Sequence, residues 1–235
     1  MMTFQLPPQS YGMQGKDGKP EIPLEFVRWP LYSSAAIDGG QLPRTVSLFN
    51  YAVGQTVSGA GGAAITATRF HTNMTIANAL ARPKTFTCFG VRIVFLPMSY
   101  DGSPDLKDDT ANTAAPANID QVDDFLLMSQ STWFEFKQGD QVEVAHPCHM
   151  IPSNIGMAGV AATSVNANAA ALNHQRVALH TQGQLYSLRR APFVLWNQQS
   201  FSATLRCDFG TRPTITDDSL VVAVLDGILG REVQG

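Results

Sequence analysis

The chain has 235 residues, which suits one large domain, and its size lets it bury roughly 70% of the surface its unfolded form exposes. Charged residues make up 15% of it against a usual value of about 25%, while 44% is apolar, which fits a surface largely covered by neighbours. The net charge of −3, with no Lys/Arg run and no basic N-terminal arm, excludes a condenser of nucleic acid.

Residues 1–44 are interrupted by Pro7, Pro8, Pro20, Pro23, Pro30 and Pro43, so they read as an extended N-terminal arm. Phe4, Leu6, Tyr11, Phe26, Trp29, Leu31 and Tyr32 require that arm to lie along its own subunit or a neighbour. The opening MMTFQLPPQS has neither the basic nor the apolar region of a signal peptide. No apolar stretch reaches the roughly 18 residues of a membrane-spanning helix. Cys88, Cys148 and Cys207 are an odd number, and two lie in apolar runs, so they read as small core hydrophobes in a protein made in a reducing cytoplasm.

The strand pattern starts at Thr45–Val53, with Val46, Leu48 and Asn50 on one side. A glycine-rich turn leads to Ile65–Met74, and Lys84–Met98 follows as the strongest strand, apolar enough to be covered on both faces. Residues 99–121 read as a long loop. Asp124–Gln130, Ser131–Gln138 and Gln141–His146 read as three short strands, the last two joined by a Gly139-Asp140 turn. Residues 151–173, rich in Ala and Asn, read as a second long loop, and four further strand-like runs complete the chain.

About 8–10 strands without intervening helices predict an all-β fold, an antiparallel sandwich or barrel. The two long excursions favour Greek-key or jelly-roll topology, so the expectation is a single jelly-roll domain over 45–235 behind the arm.

Three clusters invite chemistry. His146-Pro147-Cys148-His149 holds three transition-metal ligand types, but the other histidines at 71, 174 and 180 do not complete a zinc spacing, so a strand-end turn is the expectation. In an extended chain His149 and Cys148 point to opposite faces, which is unsuited to a thiolate–imidazole pair. Asp101, Ser103, Asp105, Asp108 and Asp109 could offer oxygens to calcium, yet the EF-hand glycine and bidentate glutamate are absent. That loop lies in a segment, 101–124, that carries seven aspartates against Lys107 alone. Asp123-Asp124 and Asp217-Asp218 read as turn residues, and Arg189, Arg190 and Arg206 as solvated or ion-paired cations. With no nucleophile elbow, zinc-helix motif or phosphate loop either, the chain is expected to be no enzyme, with no catalytic, cofactor-binding or metal residues and no cofactor.

The order of ATRFHTNMTIANALARPKTFTCFGVRIVF, HPCHMIPSNIGMAG and the closing LVVAVLDGILGREVQG resembles major capsid proteins of tailless icosahedral bacteriophages, several of which enclose a membrane. The matching pieces are Thr72-Asn73-Met74 before a proline-bounded turn and long strand, Ile151-Pro152 before Gly156 and Gly159, and a terminal strand ending at Arg231 and Gln234. They cover about half the chain. The resemblance implies a virion structural protein, an upright jelly-roll subunit that self-assembles into an icosahedral shell. Its partners would be copies of itself, other capsid or vertex proteins and an underlying lipid membrane, without sequence-specific nucleic-acid binding. Its location would be the virion, after synthesis in the host cytoplasm. The competing expectations are a receptor- or carbohydrate-binding β-sandwich of a spike or fibre, and a cupin-like metalloenzyme.

Overall fold

The computed structural model describes residues 24–59, 62–97, 121–152, 157–163, 173–179, 186–216 and 218–232. In chain order the elements begin with β1 (Leu24–Arg28), β2 (Leu31–Ile37), β3 (Gly40–Gln41) and β4 (Thr45–Leu48). A hairpin of β5 (Thr56–Ser58) and β6 (Ala64–Thr66) precedes the long β7 (Thr85–Pro97) and one helix, α1 (Gln121–Ser131). Then come β8 (Trp133–Gln138), β9 (Gln141–Pro147), β10 (Met157–Thr163), β11 (Asn173–Leu179), β12 (Tyr186–Ser187) and β13 (Phe193–Leu195). The chain closes through β14 (Phe201–Arg206), β15 (Thr214–Ile215) and β16 (Ser219–Glu232). The fold is all-β and antiparallel, as expected.

Two principal sheets carry it. In the six-stranded sheet β16 and β7 form the spine; β1 and β2 follow one another along the far edge of β16, and β12 and β13 along the far edge of β7. The four-stranded sheet runs β4-β14-β8-β9. The pairings nest: β1 and β2 with the last strand β16, β4 with β14, β7 with β12 and β13, and β8 with its neighbour β9. β16 then pairs with β7, and β14 with β8, closing each half into a sheet.

The sheets meet through one apolar core. Along β14, Phe201, Ala203 and Leu205 are buried and Ser202 and Arg206 exposed, the period-two pattern of a strand with one face inward. Phe134 and Phe136 of β8 do the same, and Phe136 stacks on Phe193 of the opposite sheet at 5.0 Å between ring centroids. The spine contributes Phe86, Cys88, Val91, Ile93 and Phe95 opposite Leu229, Gly227, Leu225, Ala223 and Val221. At Asp226/Gly227 the register shifts. A Cβ at Gly227 would meet Phe86 Cζ at 2.5 Å and the Thr87 carbonyl oxygen closer still, so this register shift admits only glycine.

Four expectations need correction. Asp124–Gln130 is not a strand: it lies in α1, whose Phe125 and Met128, three residues apart on one face, are both fully buried in the core. The arm expected over 1–44 cannot extend past residue 23, because Leu24–Arg28 and Leu31–Ile37 are strands of the main sheet. Residues 1–23 lie outside the described residues, as does nearly all of the loop expected at 99–121. Within the loop expected at 151–173, Met157–Thr163 instead pairs with Asn173–Leu179 as an antiparallel ribbon. The strand expected over Ile65–Met74 ends at Thr66, because Thr68 is drawn into a turn that takes backbone hydrogen bonds from His71 and Thr72 at 3.0 and 3.2 Å.

A fifth difference is local. Asn50 is exposed, because Phe49 turns to φ 60°, breaks the alternation of β4 and drops its own ring into the core. The Phe49 amide donates to Ser33 Oγ at 2.9 Å, which fixes this bend against β2. By contrast the Gly139-Asp140 turn is as expected, with Gly139 at φ 57° between Gln138 and Gln141.

Candidate functional site

The structure separates the HPCH side chains. His146, near the end of β9, hydrogen-bonds the hydroxyl of Tyr186 on β12 and packs against its ring at 4.7 Å between centroids, tying the two sheets together. Cys148 sits in a short 3-10 turn, buried, with its amide donating to the Thr132 carbonyl at 2.9 Å. Burial pushes its thiol up to about 12, so at neutral pH it is neither a nucleophile nor a thiolate ligand. His149 is exposed. Among the described residues no group of three or more His, Cys, Asp or Glu side chains converges.

Of the acidic stretch, Asp101 to Asp120 lie outside the described residues. Asp124 is buried at the start of α1, and its Oδ1 and Oδ2 accept the Thr216 amide at 3.0 and 2.9 Å. Asp218 Oδ1 accepts the Gly39 amide at 2.7 Å. Both carboxylates therefore join chain segments remote in sequence. Arg189 and Arg190 lie exposed in a turn, and the exposed Arg206 faces Asp208 at 3.6 Å.

Two features escape sequence reasoning. The first is a cavity of about 740 Å³ between the β5–β6 hairpin and the outer side of β2, lined by Ser34, Tyr51, Gln55, Ile65, His71 and Leu220 among others. Among its polar groups, Tyr51 donates to the Ser34 carbonyl at 2.6 Å, and Gln55 Oε1 accepts the Ala52 amide at 2.8 Å. The second is a scatter of large apolar side chains left in water, namely Phe26, Trp29, Phe70, Trp133, Met150, Trp196 and Phe209, each 40% exposed or more. Half an aromatic side chain is about 100 Å², and covering it is worth roughly 2.5 kcal/mol. An exposed ion pair such as Arg206–Asp208 is worth about 0.2–1 kcal/mol. Where a partner covers such a side chain, its burial would therefore outweigh an exposed ion pair.

Among the described residues no helix is long and apolar enough to cross a membrane. Comparison of the chain with protein-family models, with curated protein sequences and with solved structures finds no match.

Proposed function

We propose that the chain is a single jelly-roll capsid subunit that works by assembling with copies of itself into a closed icosahedral shell. The observation that carries this reading is the nested pairing of strands. Among the strands of the two principal sheets, with β1 and β2 taken as one and β12 and β13 as one, first pairs with last, second with second-last, third with third-last and the middle two together, the pattern left when one long hairpin rolls into a two-sheet sandwich. That topology is shared by viral capsid subunits, lectin domains and cupins.

Two further observations favour the capsid member of that set. A cupin-like enzyme needs polar ligands inside the barrel, whereas here the facing inner positions are filled by Phe86, Phe134, Phe136, Phe193 and Phe201. Low charge and half-exposed aromatics suit a subunit whose surface is covered by neighbours. Other capsid or vertex proteins and an underlying membrane belong to this proposal as further partners, and the virion as its location. A spike- or fibre-type receptor-binding domain is the second reading, favoured by the polar-lined cavity beside β2, whose size falls within the range of small-ligand sites.

Light scattering of the purified chain at rising concentration and salt distinguishes the two. A shell subunit gives particles of megadalton mass and narrow size distribution. A stable trimer of fixed mass that binds glycans would overturn the capsid reading in favour of the second.

A further inference from the structure

Naming one contact deepens the assembly proposal and rests on it. Three of the strands that edge the principal sheets are guarded differently. β9 is blunted by a bulge, since Phe136 and Lys137 face Val144 and Val142 and leave Glu143 extra, and it ends at Pro147. β2 is covered along its outer edge, where the Ser34 amide donates to the His71 carbonyl at 2.9 Å and the Asn73 amide to the Tyr32 carbonyl at 3.3 Å. β1 has neither device. Its five residues are regular, pair with β16 alone among the described residues, and carry the exposed Phe26 with Trp29 just beyond.

Hydrogen-bond phase says which groups of β1 face outward. The Trp29 amide donates to the Gly227 carbonyl at 3.1 Å, continuing the Leu24↔Glu232 to Arg28↔Ile228 register. Alternation then turns the backbone groups of Glu25 and Val27 toward β16 and those of Phe26 and Arg28 away from it. A regular strand presenting such a row is a template for another strand.

We infer that β1 pairs antiparallel with β1 of a second copy about a two-fold axis at Val27. Antiparallel partners must match outward residue with outward residue, which puts Phe26 opposite Arg28 of the second copy and Val27 opposite itself. This register is electrostatically self-complementary. Each Arg28 guanidinium meets an aromatic ring, a cation–π contact, and Glu25, already paired with Arg231 at 2.9 Å, meets Trp29 of the other copy. No like charges face one another. Centring the axis on Phe26 instead would leave Arg28 against Leu24 and forgo that contact. The product is a sheet running continuously through two subunits, with both Trp29 side chains at its junction.

The test is a Val27→Cys variant of the full chain under mild oxidation. Non-hydrogen-bonded antiparallel partners have Cα atoms about 4.5 Å apart, within disulfide reach. Cys88, Cys148 and Cys207 are buried and do not compete. The expected result is a single non-reducing band at about twice the 25.4 kDa chain mass. In the unmodified chain, the Phe26 and Arg28 amides should exchange slowly only in the associated state, while Glu25 and Val27 are slow throughout. Fast exchange at Phe26 and Arg28 within assembled particles would overturn the pairing and leave the shell reading intact. Slow exchange without the cross-link would also overturn it, by showing that another segment, such as residues 1–23, covers the edge. Cross-linked dimers that never form particles would support the pairing and sink the shell.

Discussion

At Gly227, where the pairing of the two longest strands shifts register, a single methyl group has no room, because Phe86 and the Thr87 backbone fill the space. Gly227→Ala should therefore destabilise the chain by about 1–3 kcal/mol or more, the cost of overpacking where backbone cannot give way. Urea unfolding measures this, and an unchanged midpoint would contradict the close packing at Gly227. The titratable residues of the interior make a second claim. Burial pushes the Cys88 and Cys148 thiols up to about 12 from a free value of 9.0, and it also raises Tyr51 above 10.0. Between those values the folded chain holds protons that the unfolded chain has lost, so stability falls as pH rises from 9.0 toward 12. Below 9.0 these groups contribute no slope. Unfolding midpoints at pH 8, 9, 10 and 11 test the sign, and the same burial predicts that thiol reagents label Cys88 and Cys148 only after unfolding.

Among the elements, β8 and α1 show what holds the sandwich closed. Phe136 of β8 is fully buried between Phe193 of the facing sheet and Phe201 of its own. Phe136→Ala should cost about 3–5 kcal/mol, because the cavity it leaves lies between two layers that cannot both collapse into it. α1 is pinned at its start by Asp124 and at its end by Thr132, whose hydroxyl donates to the Met128 carbonyl at 2.7 Å. Asp124→Ala should cost about 1.5–3 kcal/mol, as expected for losing a hydrogen bond to a charged group, with loosening at the β15–β16 junction visible in amide exchange at Thr216. A change confined to residues 121–131 would contradict the reach of that carboxylate. The same elements explain what could be read from the sequence. β7, β8, β9, β14 and β16 announce themselves by apolar alternation or β-branched runs. α1 was illegible as a helix because Phe125, Leu126, Leu127 and Met128 are contiguous, and a short apolar run has no period to choose between helix and strand. β2 was hidden for the opposite reason. Its Ser33, Ser34, Ala35 and Ala36 lack strand propensity, and only tertiary contacts give them a role: Ser33 accepts the Phe49 amide, and Ser34 meets the Tyr51 hydroxyl at 3.0 Å.

For the whole molecule, fold class followed from composition and turn spacing, and the two long excursions raised the expectation of a jelly roll, but they did not specify the strand order of the sheets. It depends on which strands meet, and the partners β2 and β16 stand nearly two hundred residues apart. The candidate site was less legible still. His146, Cys148 and His149 are close in sequence, and the chain sends one to Tyr186, buries the second and exposes the third; the exposed aromatics are scattered in sequence, and which of them stay in water is set by the fold. Leu24–Arg28 and Leu31–Ile37 belong to the main sheet, which changes the truncation that probes the segment before them. Removing residues 1–23 spares β1, and the expected result is a folded domain with reduced capacity to form large particles, whereas removing 1–30 would strip a strand from the main sheet. The central claim, assembly into a closed shell, is tested most directly by negative-stain electron microscopy of the purified chain at high concentration. Uniform closed particles built from one kind of subunit are the predicted result, and a field of isolated monomers or discrete small oligomers under every salt condition would contradict it.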